Sequence, residues 1–166
     1  MANGATRSPS LFNGPLETGV RTVVVLNAVH PKSLDLATLT LLDHLVVHAA
    51  DIGGAASLHP TLPQRSGEML VRRRLIEDGI KLMRRFEMIE QHSANDGIVY
   101  QATDNAFAFT ELLVSEYAAK LKLSANWLAL KVSELGNDGL VALVNQKLGR
   151  WSLEFQDIDV NNGTQK

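Results

Sequence analysis

The chain has 166 residues, of which 45% are hydrophobic, and its formal net charge is −2. This length suits a single domain with enough apolar surface to bury a core, and no apolar run reaches the roughly 20 residues of a membrane helix. The absence of cysteine excludes disulfides and thiolate metal sites, and the slightly acidic balance argues against a dedicated nucleic-acid binder, which is usually basic.

The N-terminal part predicts a tail followed by a helix. Residues 1–13 are rich in Gly, Ser and Asn, so we expect a disordered tail, without the apolar segment of a signal peptide. Pro15 fits a helix start, because its missing N–H would be unpaired in the first turn anyway. The valine-rich stretch that follows should end near His30, since a residue before proline disfavours helix. These features predict a soluble, cytoplasmic chain.

A second helix and a long loop come next. Ser33 or Asp35 can cap the helix, whose leucines recur at helical spacing. Gly53 and Gly54 follow its expected end, where glycine readily adopts the left-handed conformation. The loop that we predict over 53–67 is long for a compact domain, and loops of this length often carry function.

A third helix and a hairpin follow the loop. Residues 67–86 combine a regular apolar stripe with a charged face, which predicts a helix. The pattern then alternates over 88–92 and 98–102, which predicts two strands. Asp96 and Gly97 between them are a strong hairpin signal.

The C-terminal third predicts further helices. A helix capped by Thr103 or Asp104 should reach Leu121, and a break should follow near Ser124. We then expect a helix over 127–135, a loop over 136–139 and a helix over 140–148. The chain should end with an alternating segment over 151–155 and a flexible tail over 157–166.

Taken together, these elements predict a mostly α (α+β) fold. Three helices, a hairpin and a threonine-capped helix are the order of a winged helix-turn-helix. We therefore expect a winged-helix-like domain over 14–104 with a β-hairpin wing, and a C-terminal helical extension over 105–156 packed on it. The long loop before the third helix departs from the tight turn of a helix-turn-helix.

Charged residues of the third helix and its preceding loop are candidate contacts. Arginines 72 to 74, 84 and 85 could meet phosphates, but pairing with acidic residues one turn away favours a solvated, self-neutralised face, with protein contact as the next interpretation and DNA contact as the last. The loop between Asp51 and Glu68 is either an ordered loop that packs on its own body or a docking surface.

Histidines on the second helix suggest a possible metal site. His44 and His48 lie one turn apart, Asp51 follows, and His59 could fold back from the loop, so the four could hold zinc. Buried packing histidines are the simpler interpretation. The chain contains no nucleophile elbow, phosphate-binding loop or dinucleotide fingerprint, so we predict neither an enzyme nor a bound cofactor.

Several short motifs resemble the middle-component proteins of ABC-three-component systems, over about residues 13–156. They are Asn13-Gly14-Pro15-Leu16-Glu17-Thr18-Gly19, Leu41-Leu42-Asp43-His44 with His48, Asp51-Ile52-Gly53-Gly54, Ser57-Leu58-His59-Pro60, and Gly149-Arg150-Trp151 with Glu154-Phe155.

The resemblance implies an accessory subunit without catalytic residues of its own. Such a subunit would bridge an SMC/Rad50-like ABC ATPase and an effector, often a nuclease, in a bacterial, Lamassu-like defence complex that acts against phage or plasmids. DNA would be contacted, if at all, through the complex. The candidate partner-binding residues are Asp51, His59, Arg65, Glu68, Arg72, Arg73, Trp151 and Phe155.

Two alternatives remain open at this point. A winged-helix transcription regulator would need an exposed, basic third helix. A small metallohydrolase would use His44, His48, Asp51 and His59 as its metal ligands. The adaptor hypothesis instead predicts an exposed apolar patch around Trp127, Trp151 and Phe155.

Overall fold

A computed structural model describes residues 14–59 and 68–148 of the chain. Its helices are α1 (Pro15–Val29), α2 (Leu36–Val47), α3 (Glu68–Arg85), α4 (Asp104–Glu111) and α5 (Glu116–Leu148), with a 3-10 turn at Ala49–Ile52. Its strands are β1 (Leu34–Asp35), β2 (Ile89–Ala94) and β3 (Gly97–Ala102). The mostly helical α+β class is confirmed. The predicted tails and the alternating segment over 151–155 lie outside the described residues.

The three strands form one antiparallel sheet in the order β1-β3-β2. The predicted hairpin is present: Ala94 pairs with Gly97 at its tip, and Ile89 pairs with Ala102 at its base. Gly97 has a φ of 131°, which explains why glycine follows Asp96 there. Strand β1 was not predicted from the sequence, because its two residues are too few to show alternation.

Helix α2 lies at the centre of the core. It is apolar on nearly all sides, and every residue from Leu39 to Val47 is buried. The side chain of Asp35 accepts a hydrogen bond of 2.7 Å from the backbone N–H of Thr38, so Asp35 is the helix cap. Buried residues of α1, α3 and α5 surround α2 and form one continuous core with it.

Helices α1 and α3 approach each other closely at two glycines. A Cβ atom on Gly79 would lie 2.8 Å from the backbone N of Gly19 and 3.1 Å from the carbonyl oxygen of Pro15. These contacts are with backbone, so the absence of a side chain on Gly79 is what permits this helix spacing. Within the described stretches, no helix is both long enough and apolar enough to cross a membrane.

The C-terminal helices differ from the prediction in two places. The predicted break near Ser124 is wrong: this residue lies inside α5, and its hydroxyl donates a 2.7 Å hydrogen bond to the carbonyl of Val46. The chain instead breaks between α4 and α5, where the Ser115 hydroxyl accepts from the N–H of Ala118 and caps α5. The predicted interruption after Leu135 is present but is shorter than the predicted loop over 136–139: Gly136, with a φ of 68° and a ψ of 176°, is non-helical, and helical residues lie on both sides of this kink.

Candidate functional site

Three charged side chains meet inside the core and form what we call the charge cluster: Arg21, Asp43 and Arg72. Nε and Nη2 of Arg21 donate to the two oxygens of the Asp43 carboxylate at 2.8 and 3.2 Å. Nη1 of Arg72 donates to the same carboxylate at 2.6 Å. The cluster therefore ties α1, α2 and α3 together through one aspartate.

The surrounding helices explain why Asp43 remains ionised. Burial on its own would raise the pKa of the Asp43 carboxyl, but the charges and hydrogen bonds of Arg21 and Arg72 outweigh burial and lower the pKa. Burial likewise opposes the charged form of Arg21, and Asp43 reverses this and raises the pKa of Arg21. The carboxylate of Glu17 on α1 acts on Arg21 in the same direction, so acidic groups on two helices balance the arginines.

Three histidines extend the polar region from the charge cluster toward the loop that follows α2. The rings of His44 and His48 lie 4.6 Å apart, and those of His48 and His59 lie 6.3 Å apart. Nε2 of His59 is 2.8 Å from the Tyr117 hydroxyl of α5. His44 lies 3.5 Å from a carboxylate oxygen of Asp51. These contacts join the loop to both α2 and α5.

Two of these histidines are neutral at physiological pH. Burial, the charge of Arg72 and the neighbouring His48 lower the pKa of His44 to about 3. Burial and the charge of Arg21 lower the pKa of His59 to about 4. His44 and His48 are both buried, so their interpretation as packing histidines is confirmed.

The predicted metal ligands do not form a metal-binding group. No set of three or more His, Asp or Glu side chains within the described stretches is placed to hold a metal ion. His59 instead contacts Tyr117, and its ring stacks on the tyrosine ring at 6.0 Å.

An open groove of about 690 Å³ lies between the loop and α5. The loop contributes Ala49, Ala55, Ala56, Ser57 and Leu58 to its wall, and α5 contributes Glu116, Tyr117, Lys120, Leu123, Ser124 and Trp127. The backbone N–H of Leu58 donates to the carbonyl of Val47 at 2.8 Å, which holds this part of the loop beside α2. Of the three residues of the predicted apolar patch, Trp127 lies in the wall of this groove, and Trp151 and Phe155 lie outside the described residues.

Large apolar side chains are exposed on α4, on α5 and in the connection between these helices. Leu112 and Val114, in the connection, are 77% and 86% exposed. Leu123 and Leu130 of α5 are also exposed, as is Phe107 of α4. Their exposure was not predicted from the sequence, because an apolar residue in a helical pattern is expected first in the core.

The predicted partner-binding residues fall into separate places. Asp51 and His59 lie with His44 and His48 in the group of histidine contacts described above, and Arg72 belongs to the charge cluster. The interpretation of Arg72 as part of a solvated face is wrong, because it points inward to Asp43. Arg73 is half-buried on α3, and Glu68 begins that helix. Arg65, Trp151 and Phe155 lie outside the described residues.

The chain matches a known protein family. Residues 11–154 match the family model described as ABC-three component (ABC-3C) system Middle Component 2. The matched span includes every helix and strand described above, together with the charge cluster, the groove and the exposed apolar residues. No curated protein and no solved structure gives a significant match to the chain.

Proposed function

Because the chain belongs to the Middle Component 2 family of ABC-three component systems, we propose that it is a non-catalytic adaptor. In this proposal it bridges an SMC/Rad50-like ABC ATPase and a nuclease effector in a cytoplasmic, Lamassu-like defence complex. The family name supports action together with other components, and the described surface supports docking.

The observation that carries the proposal is the exposure of Leu112 and Val114. Each leaves more than three quarters of its surface in water, although both are large and apolar. Burying such a side chain contributes about 1.5–3 kcal/mol, so two of them close in sequence can stabilise a complex by this amount each when another chain covers them. Exposed apolar clusters of this kind mark sites of protein association.

The groove supplies a second surface, which a bridging subunit needs. Its wall is formed by α5 and by a loop that the His59–Tyr117 contact holds in place. An apolar side chain from a partner could enter beside Trp127. We propose that Asp51 and His59 act there by ordering the loop and that the charge cluster keeps α1, α2 and α3 rigid beneath it.

The test is co-expression of the tagged chain with the ATPase and effector components of its own system. The double variant Leu112→Glu/Val114→Glu should reduce recovery of at least one component more than tenfold. Leu16→Glu, at an exposed leucine of α1, is the matched control and should leave recovery unchanged. If the unaltered chain recovers neither component, or if both variants behave alike, the proposal is wrong.

A winged-helix regulator is the second candidate, and the order of the elements favours it. We propose that residues 14–104 form a winged-helix-like unit, with β2 and β3 as the wing and 105–156 as an extension. Exposed basic side chains occupy the outer side of α3, namely Arg74, Lys81, Arg84 and Arg85. Duplex DNA binding that weakens steeply with salt would support this function, whereas no binding at low salt would oppose it.

A further inference from the structure

Helix α5 presents two regular rows of side chains, and the core covers one of them. Its inward residues are Ala118, Leu121, Ala125, Leu128 and Val132, which are all buried. A second row is exposed throughout: Ala119, Leu123, Asn126, Leu130 and Ser133. We call this second row the α5 seam.

The α5 seam has the spacing of a helix-pairing surface. Its members are separated by four, three, four and three residues, which is the heptad alternation of two packed helices. At about 100° per residue, the seam and the inward row lie on roughly opposite sides of the helix. A second helix could therefore lie along the seam on the side of α5 away from the core, with the loop wall of the groove beside it at Leu123.

Two large leucines stand one heptad apart at the middle of the seam. Leu123 and Leu130 are 70% and 63% exposed. Single exposed leucines are common on protein surfaces, but a pair at the period of helix packing, with Ala119 and Ser133 as small neighbours at the two ends, fits a partner helix. The seam ends before the kink at Gly136, so it lies on a straight part of α5.

Asn126, between the two leucines, selects both the partner and its direction. In a parallel pair of α5 helices in register, leucine meets leucine and the two Asn126 amides face each other, where each can donate to the other. A polar residue at one layer of an apolar seam fixes register in this way. In an antiparallel pair whose leucines contact the partner's seam, Asn126 of one copy would instead lie opposite Leu123 or Leu130 of the other copy. The Asn126 amide would then be buried without a polar partner.

Charges at the start of the helix allow the parallel arrangement. Glu116 precedes the seam by one turn, and a parallel pair would bring its two copies toward each other. Within each chain, however, a carboxylate oxygen of Glu116 lies 3.0 Å from Nζ of Lys120. This pairing offsets the repulsion between the two glutamates, and both side chains are exposed enough to turn outward.

We propose that the α5 seam is a homodimer interface, in which two copies of this chain pair their α5 helices in parallel about a two-fold axis. Such an interface is isologous, because each copy contributes the same surface. Dimerisation would place two adaptors in one complex. Leu123 belongs both to the seam and to the groove wall, but Asn126 and Leu130 do not line the groove and the seam does not include Leu112 or Val114, so variants at these four positions let the proposed function and the dimer fail separately.

Light scattering on the purified full chain tests the association. At about 100 µM the protein should have a mass of about 36 kDa, twice the 18.1 kDa of one chain. Leu130→Glu should be monomeric with an unchanged circular dichroism spectrum, whereas Leu16→Glu should stay dimeric. A monomeric unaltered chain, or a dimer that survives Leu130→Glu, would overturn the proposal.

Substitution of Asn126 tests its role at the centre of the seam. Asn126→Asp places two like charges against each other in the parallel pair, so it should weaken the dimer at least tenfold at pH 7. Asn126→Leu removes the polar layer, so it should tighten association and admit higher oligomers. Dimerisation that is indifferent to both changes would show that Asn126 is not in the interface.

Disulfide crosslinking tests the direction, since the chain has no cysteine of its own. Equivalent positions meet only in the parallel pair, so the Ala119→Cys chain and the Ser133→Cys chain should each crosslink with itself. In an antiparallel pair with Ala119 opposite Leu130, the two copies of position 119 would be about 16 Å apart. Failure of both chains to crosslink, or crosslinks only between the two when they are mixed, would contradict the parallel arrangement.

Discussion

Asp43 is held between two arginines inside the buried helix α2, most of whose residues are apolar. Its carboxylate accepts hydrogen bonds from α1 and from α3, so one side chain fixes the relative position of three helices. A buried ion pair contributes little net stability, because desolvation of the charges offsets their attraction. What it does contribute is geometry, since no apolar side chain could hold both arginines in place.

We expect Asp43→Asn to lower the free energy of unfolding by about 3–5 kcal/mol, because it leaves the charges of Arg21 and Arg72 buried without this carboxylate. Urea denaturation followed by circular dichroism measures this change. Asp78→Asn, which alters an exposed pair with Lys81 at 4.0 Å, should cost less than about 1 kcal/mol. Similar losses for the two variants would show that the charge cluster has no special role.

Buried neutral histidines predict a loss of stability in mild acid. His44 has a folded pKa of about 3, whereas an unfolded histidine titrates near 6.5. As the pH falls below 6.5, His44 becomes protonated in the unfolded state but stays unprotonated in the folded state. The free energy of unfolding therefore decreases until the pH reaches the folded pKa. His59, with a folded pKa of about 4, acts in the same direction. Asp43 adds a further loss at lower pH, because its folded pKa is depressed.

The measurement is urea denaturation at intervals between pH 7 and pH 4.5. His44 alone should contribute a slope of up to about 1.4 kcal/mol per pH unit. His44→Gln should make the free energy of unfolding depend less steeply on pH, whatever its effect on stability at neutral pH. Leu16→Gln, at an exposed and non-titrating side chain of α1, is the control and should leave the slope as it is. If the His44→Gln variant and the unaltered chain have the same slope, folding does not keep this histidine neutral.

At the scale of elements, local signals predicted most of the fold. Pro15, the Asp35 cap and the turn at Gly97 each depend on backbone chemistry that a few neighbouring residues determine. The errors occurred where distant contacts decide. Ser124 lies inside a helix, where its hydroxyl donates a hydrogen bond to a carbonyl of α2. Arg72 points inward because its guanidinium pairs with Asp43. The charge cluster joins positions 21, 43 and 72, and no local pattern links them.

The crossing of α1 and α3 predicts the effect of a small substitution. Gly79→Ala should improve the intrinsic helix propensity by up to about 1 kcal/mol, but the added methyl would meet the backbone of Gly19 at 2.8–2.9 Å. The two helices must then separate, and overpacking of this kind costs about 1–3 kcal/mol. We therefore expect a net loss in urea denaturation. Lys81→Ala on the exposed side of α3 should have little effect, and a gain for Gly79→Ala would refute the close approach.

At the scale of the whole molecule, the described part of the chain shares one core. Leu121 and Leu128 of α5 belong to the same buried cluster as Leu26 of α1 and Leu42 of α2. The sequence pattern predicted a C-terminal extension packed on an N-terminal unit. The pattern could not show how much of the core this extension supplies. The answer depends on which residues α5 buries, and helical periodicity alone does not decide which of two regular rows faces inward.

This shared core predicts that the N-terminal unit does not fold by itself. A chain that ends at Glu111 would lack α5 and expose the surfaces of α1 and α2 that α5 now covers, including the part around Val46 that bonds to Ser124. Because the shortened chain would lose the apolar burial that α5 now provides, we expect it to lose its sharp urea transition and to give poorly dispersed amide resonances. The full chain should unfold in a single transition. A sharp transition in the shortened chain, at a similar urea concentration, would instead mean that residues up to 111 form an independent domain and that α5 is an attachment to it.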